Sequence, residues 1–557
     1  MKLKMILMLA LLMACQTNEQ KKGSVNADKP DKTPFYWENA NVYFLLTDRF
    51  HNGNPENDFS YGRKKNGAVL RSFEGGDIAG ITEKIESGYF EKMGIDAIWF
   101  SPPFEQIHHF TDEGTGNTYA YHGYWPKDWT TTDNNFGTMA ELKNMVNKAH
   151  EKGIRVILDV IINHTGPVTE NDPQYPDSWV RTGPPCTYQD FETTVSCTLV
   201  ENLPDIRTES NEAVALPKLL LEKWEKEGRK EKELEELDAF FDRTGYPRAP
   251  RFYIIKWLVD FVRELGIDAF RVDTAKHTEP YVWGELYREA VIAFEAWKKE
   301  NPDKVIDDTP FFMVGEVYNY SIGHGLEFPM GGDSTVNFYD EGFKSLINFS
   351  FKSDASRNPE EVFSSYSKML HMGELQNLSV MNYISSHDDG GPFDPDRENA
   401  LHGGTMLLLA PGAVQIYYGD ETARKLVVEG ANGDANLRSN MNWYDLENDT
   451  DLGKYTTKQV FDHYCKLGQF RKYHPAVGAG QHKMINQKPY IFARTFTDDD
   501  YTDKVIVVME ETQEATDVSD YFADGQILTN YYTGESVEVG NGKVKFEQTS
   551  PLQLIGL

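Results

Sequence analysis

The chain has 557 residues, 40% of them hydrophobic and 26% charged, which excludes collagen-like, coiled-coil and wholly disordered classes. With 56 basic and 87 acidic residues the net charge is −31. So acidic a protein repels nucleic acid and anionic membrane surfaces and suits a neutral ligand or a bound cation. Aromatic residues are plentiful at 13%; most belong in a core, and the rest offer flat faces on which sugar rings can pack.

Two lysines precede the apolar run Met5–Ala14, which ends at Cys15. The run is too short to span a bilayer and has the length of a signal-peptide core. Leu12-Met13-Ala14-Cys15 resembles a bacterial lipobox, in which the cysteine is lipidated and becomes the mature N-terminus. An ordinary signal peptide containing a cysteine is the alternative. Residues 1–14 are therefore expected to be a lipoprotein signal and residues 15–37 a polar, flexible tether. Gln16 after the cysteine implies the outer membrane, on its periplasmic or cell-surface face. No later stretch is apolar and long enough to cross a bilayer, so membrane contact is expected only through the lipid.

From residue 41 onward, short apolar runs alternate with helical patterns. The runs are Asn41–Leu46, Asp96–Phe100, Arg155–Ile161, Asp268–Val272, Phe311–Gly315, a weaker Ser334–Phe338, Ser379–Ile384 and Ala413–Tyr418. They lack strict alternation, as expected of parallel strands buried on both faces. Eight such units predict an α/β fold, a (β/α)8 TIM barrel over residues 38–477. A doubly wound sheet would need a dinucleotide fingerprint after the first strand, where the sequence reads TDRFHNGN. Residues 165–250 are too long for a loop and predict a lobe inserted after strand 3. Its first part holds Cys186 and Cys197, which export would allow to pair or leave as free thiols. Its second, Lys218–Asp242, is charged and helical. Cys465 falls in the helical stretch Lys458–Lys472 and is expected to be a buried thiol. Residues 478–557 alternate with turn signals and predict a C-terminal antiparallel β domain, a β-sandwich.

Polar groups at the C-terminal ends of barrel strands face a common site. Strand 3 ends in DVIINH (Asp159–His164), strand 4 in FRVDTAKH (Phe270–His277), strand 5 in GEV (Gly315–Val317) and strand 7 in SSHDD (Ser385–Asp389). A lone strand-end aspartate is more often a helix cap, but three strands bring carboxylates to one rim. Cleaving a glycosidic bond needs one carboxyl that keeps its proton for the leaving oxygen and one carboxylate that attacks or activates water. Crowded carboxylates separate in pKa. Arg271, two residues before Asp273, shares its strand face. A metal-hydrolase reading would use the same residues, but no HExxH or paired-histidine spacing is present.

These four segments, in this order, resemble the α-amylase family of retaining α-glucan enzymes, over residues 38–557. LPDI (Leu203–Ile206) adds a fifth segment, within the lobe. RVDTAKH, Ala296–Phe312 and Arg471–Gly480 resemble most the periplasmic α-amylases of Gram-negative bacteria. The resemblance implies hydrolysis of α-1,4-glucosidic bonds in starch or maltooligosaccharides, through a covalent glycosyl-enzyme. It matches Asp273 to the nucleophile, Glu316 to the general acid/base and Asp388 to the third carboxylate. Substrate contacts are matched to Arg271, His164, His387 and His122, to Tyr124 as a stacking ring, and to Lys276 and His277 on the aglycone side. Trp125 joins them in the HGYW segment, with core packing as the alternative for both Tyr124 and Trp125.

The same comparison implies Ca2+. Asn163, Asp205 and the His277 carbonyl match one site, built of hard oxygen donors and tying lobe to barrel; the stretch before LPDI offers it no further carboxylate. The cysteine pair lies just before LPDI, where some family members have a disulfide. Asn52, Asn54, Asn57 and Asp58, with Gly75 and Asp77 downstream, match a second site; a plain Asn/Gly-rich turn is the alternative. The expected partner is an α-glucan, and the chain is expected to act as a monomer. Cyclomaltodextrinase or glucanotransferase activity uses the same catalytic set and stands as the alternative function. A non-catalytic glucan-binding lipoprotein would be expected to have lost a catalytic carboxylate, and none is missing.

Overall fold

The computed structural model describes residues 33–112, 114–499 and 501–557, so the leader, the lipobox and most of the tether lie outside the described residues. Residues 34–557 form one compact unit. Eight parallel strands close into a barrel: β1 (Asn41–Leu45), β2 (Ala97–Phe100), β3 (Arg155–Val160), β4 (Ala269–Val272), β5 (Phe312–Gly315), β6 (Ser345–Asn348), β7 (Ser379–Tyr383) and β8 (Ala413–Tyr417). Neighbours around the barrel follow chain order, with β8 returning to β1. Every residue of these strands is buried, which is why their apolar runs are continuous rather than alternating.

The sixth strand differs from expectation. Ser334–Val336 pairs antiparallel with Phe328–Gly331 in a hairpin outside the barrel, and Ser345–Asn348 (SLIN) is β6. The hairpin's alternating apolar residues imitate a strand of the core. The true strand is half polar, because Asn348 faces an interior network and its amide donates to Asn382 at 2.8 Å and to the Tyr366 hydroxyl at 2.9 Å.

The lobe contains a disulfide between Cys186 and Cys197. Its charged half is helical, as two helices, Lys218–Lys226 and Lys230–Thr244. It is stitched to the end of β3 by backbone bonds, Ile206 N–H to the Asn163 carbonyl at 2.8 Å and Thr165 N–H to the Pro204 carbonyl at 3.0 Å. Cys465 is a half-buried free thiol rather than a fully buried one.

The C-terminal region is a six-stranded antiparallel sheet. A two-stranded ribbon, Thr516–Asp517 with Lys543–Val544, adds Val544 to one core with Val508, Leu528 and Ile555 of the sheet. The sheet meets the barrel floor through Arg494, which donates to the Val477 carbonyl, and Asp503, 2.9 Å from His474 Nδ1; on the barrel side the buried Arg471 guanidinium donates to the carbonyls of Asn39 (2.9 Å), Leu408 (3.2 Å) and Ala410 (2.8 Å). Burial, with Arg494 nearby, pulls Arg471 down to about 9 against the opposing charge of Asp96. Among the described residues no helix is long and apolar enough to cross a membrane.

Candidate active site

β3 and β4 run in register, so Asp159 stands opposite Arg271 inside the barrel. The Arg271 guanidinium donates to Asp159 at 2.9 Å and to Asp273, just beyond β4, at 2.8 Å, and lies 3.0 Å from Glu316, just beyond β5. All four side chains are buried. Thr274 follows Asp273 in a left-handed conformation (φ 48°), unusual for a β-branched residue. It aims the Thr274 N–H at Glu316 Oε2, 2.8 Å away.

One guanidinium thus serves three carboxylates, too little positive charge to hold all three ionised. Burial pushes Glu316 well above the usual carboxylate range; Arg271 pulls it down, and Asp273 and Asp388 push it further up. Burial raises Asp159 to about 7 against the pull of Arg271. Asp388 lies beyond β7 with 37% of its side chain open to the cleft. Its surroundings also raise it, against Arg271 and Arg438, and that solvent access limits the effect.

Three histidines surround the group. Burial lowers His122, His164 and His387, so they are neutral imidazoles. His122 Nδ1 accepts from the Tyr124 N–H at 3.0 Å, which leaves the proton on Nε2. His164 Nε2 donates to the Tyr124 carbonyl at 3.1 Å. Tyr124 is half-buried, stacks on His387 at 5.0 Å and donates its hydroxyl to Asp159 at 2.8 Å. Trp125 has no open face: it is buried with Ile107, Ala120 and Leu203 and supports His122 edge-on. The packing alternative therefore describes it.

On the other side, His277 Nδ1 donates to the Thr194 carbonyl of the disulfide loop at 2.9 Å, and burial lowers the ring to about 4. The Lys276 amine lies 5.5 Å and 5.3 Å from the rings of Tyr188 and Tyr318. These rings are 50% and 47% exposed.

The sequence reading missed several residues here. Asp159 was legible as a lone acid within an apolar strand. Arg438, 51 residues beyond His387, donates to the His387 carbonyl at 2.8 Å and pairs with Asp434 at 2.7 Å, which in turn pairs with Arg71 at 2.8 Å. Asp389, next to Asp388, pairs with Lys352 and accepts from the Tyr383 hydroxyl. No local signal ties Arg438, Asp434 or Lys352 to the rim.

The two calcium sets differ. Asn57 Oδ1 is buried with no hydrogen-bond partner among the described residues. A Cβ at Gly75 (φ 98°) would lie 2.5 Å from Asn52 Nδ2 and 2.8 Å from Asp58 Oδ1, so only glycine leaves this cradle open. Asp77 accepts from the N–H groups of Gly53 (3.0 Å), Asn54 (2.8 Å) and Gly80 (2.7 Å), capping the helix Ile78–Glu86. Asn54 Oδ1 accepts from the Glu56 N–H at 3.2 Å. An orphaned amide oxygen in a glycine-dependent cradle fits a hard cation. In the other set the Arg181 guanidinium lies 2.8 Å from Asp205, and Asn163 Oδ1 accepts from the Thr278 hydroxyl at 3.3 Å. That set does not fit an ion as it stands, because Arg181 already occupies the cationic position.

A family model described as the α-amylase catalytic domain matches residues 44–453. A periplasmic α-amylase of Escherichia coli K12 is 37% identical over 542 residues, covering 86% of this chain and 73% of that protein. A cyclomaltodextrin glucanotransferase of Geobacillus stearothermophilus is 27% identical over 82% of this chain, which spans 58% of that protein. In fold, the chain is similar to an α-amylase from Geobacillus thermoleovorans solved with acarbose, with TM-score 0.63, 19% identity and coverage of 94% and 99% of the two chains.

Proposed function

This chain belongs to the α-amylase family of glycoside hydrolases, and from that premise we propose that it cleaves α-1,4-glucosidic bonds of starch or maltooligosaccharides with retention, using Asp273, Glu316 and Asp388. The observation that supports this division of labour is Arg271 held between Asp273 and Glu316 at 2.8 and 3.0 Å. Asp273, held by the guanidinium, attacks the anomeric carbon while Glu316, kept protonated by burial, gives its proton to the departing glucan oxygen. Glu316 then takes a proton from water, which hydrolyses the glycosyl-enzyme and returns Asp273. Asp388, His122 and His387 hold the hydroxyls of the reacting sugar, and Tyr124 stacks on its face. Lys276 and His277 line the leaving side.

The exposed Tyr188 and Tyr318 rings could hold an incoming sugar in place of water, the feature that favours glucanotransfer as a second reading. Following the first products from maltoheptaose by proton NMR and chromatography tests both. α-Anomeric shorter oligosaccharides are expected. β-Anomers released first would overturn retention, and early products longer than the substrate would make transfer the main activity.

We further assign Ca2+ to Asn52, Asn54, Asn57, Asp58, Asp77 and the Gly75 carbonyl. The ion would supply positive charge to a loop that otherwise leaves Asn57 Oδ1 unpaired. The lipobox supports an exported, membrane-anchored lipoprotein, tested by whether Cys15→Ala releases the protein from the membrane fraction.

A further inference from the structure

The catalytic carboxylates sit at the C-terminal ends of the barrel strands. At the opposite end is a separate cavity of about 500 Å3, within the roughly 300–1,000 Å3 usual for small-ligand sites. It lies where residues just ahead of β1, the start of β7 and the turn before β8 meet the first two strands of the C-terminal sheet, Gln481–Asn486 and Ile491–Asp498. Its lining combines two half-buried rings, Tyr36 and Phe496, packed edge to face at 4.6 Å. Hydrogen-bonding edges come from Glu38, Asn377, Gln481 and Asp498. The Tyr36 hydroxyl lies beside Asp498, whose charge adds to burial in raising the hydroxyl's pKa.

Among the described residues no lysine or arginine lines the cavity, which argues against a phosphate or other anion. Rings for apolar sugar faces, with amides and carboxylates for hydroxyl groups, are the chemistry that recognises an uncharged polyhydroxylated ligand. The barrel itself separates this cavity from the cleft, so one chain could hold a glucan strand at the floor while cutting at the rim.

We propose that this cavity between the barrel floor and the C-terminal sheet is a second, non-catalytic binding site for a short α-glucan segment. The choice of sugar rests on the glucan reading of the rim; the existence of the site rests on its own lining.

Full-length Asp273→Asn protein, which cannot consume its ligand, is titrated calorimetrically with maltoheptaose. Two sites per chain are expected, falling to one, or one of them weakening at least about tenfold, in Phe496→Ala and in Gln481→Ala. Gln481 is exposed, so its variant guards against misfolding at Phe496. On the wild-type background both changes should lower adsorption to insoluble starch and leave maltotriose cleavage unchanged. Binding at the second site should persist at raised ionic strength, since the ligand carries no charge. Cleavage of maltotriose with a stoichiometry of one, or with starch adsorption unmoved by both changes, overturns the second site alone. Loss of the second binding event in salt overturns the neutral-sugar assignment. Neither binding nor cleavage of any α-glucan overturns both this site and the function proposed above.

Discussion

A buried arginine, Arg271, and a half-buried one, Arg181, meet carboxylates in this molecule with different results. At the rim, Arg271 is shared by Asp159, Asp273 and Glu316 at 2.8–3.0 Å. At the lobe junction, Arg181 lies 2.8 Å from Asp205 and also pairs with Glu209. Both places have less positive charge than negative. On the proposed mechanism, the shortage at the rim keeps a proton on Glu316 beside an open cleft, where substrate can take it. At the junction Asp205 is closed in between lobe and barrel. Burial pushes it up to about 9, opposed by Arg181 and aggravated by Glu279 and Glu209, and nothing reaches that proton. What distinguishes a catalytic cluster from a structural one is access, not the list of residues.

The largest break in this comparison should come from Asp273→Asn. Maltotriose turnover is expected to fall by about 10^4-fold or more with the melting temperature held or raised, since a negative charge leaves a crowded site. Near-wild-type turnover would remove Asp273 as nucleophile. Glu316→Gln should cost about 10^2- to 10^4-fold on maltooligosaccharides and far less on α-maltosyl fluoride, whose leaving group needs no proton. Equal losses on both substrates would point to another acid. The pH profile carries the same assignment. The Glu316 pKa is raised, so its proton is present at low and neutral pH and lost as pH climbs through that raised value. The alkaline limb of wild-type activity should therefore disappear for the fluoride in Glu316→Gln.

The rim and the junction were unequally legible in the sequence. Seven barrel strands could be read because residues buried on both faces give mostly apolar runs without strict alternation. β6 could not, because Ser345 and Asn348 serve the interior network while the hairpin beside it mimics a core strand. Asp273, Glu316 and Asp388 were legible because strand ends deliver side chains to a known place. Arg438, Asp434 and Lys352 were not, since they reach the rim from loops and helices whose local pattern says nothing of direction. Arg181 was hidden likewise: its two-residue strand, Val180–Arg181, pairs with Asp205–Ile206 across the lobe, a contact no spacing announces.

Asp159 sharpens the view of the rim with a smaller effect. In Asp159→Asn, Arg271 loses one of its three carboxylates and gives more of its charge to the other two. Ionised Glu316 is then better stabilised, its pKa falls, and the alkaline limb should move to lower pH, with kcat reduced about tenfold. A limb moving to higher pH would show that Arg271 does not distribute its charge among the three.

The smallest expected effect separates the two calcium sets. If the ion sits at the 52–77 loop, a chelator removes a ligand that binds only the folded state. At a hundredfold excess over its Kd such a ligand contributes about 2.7 kcal/mol, so the melting temperature should drop by a few degrees and recover when Ca2+ is restored. Asp58→Ala should abolish that response, because it removes an anionic oxygen from the cradle beside Gly75. Asp205→Ala should leave the response intact, since Arg181 rather than an ion occupies the cationic position beside Asp205. Arg181→Ala should lower stability by about 1–3 kcal/mol with or without chelator, toward the low end because burial already keeps a proton on Asp205. The opposite pattern, with the response lost in Asp205→Ala and kept in Asp58→Ala, would mean that Arg181 swings aside for an ion held by Asn163, Asp205 and the His277 carbonyl. Diffuse binding of Ca2+ to a chain of net charge −31 would survive either single substitution, so a response indifferent to both would show no specific site in either place.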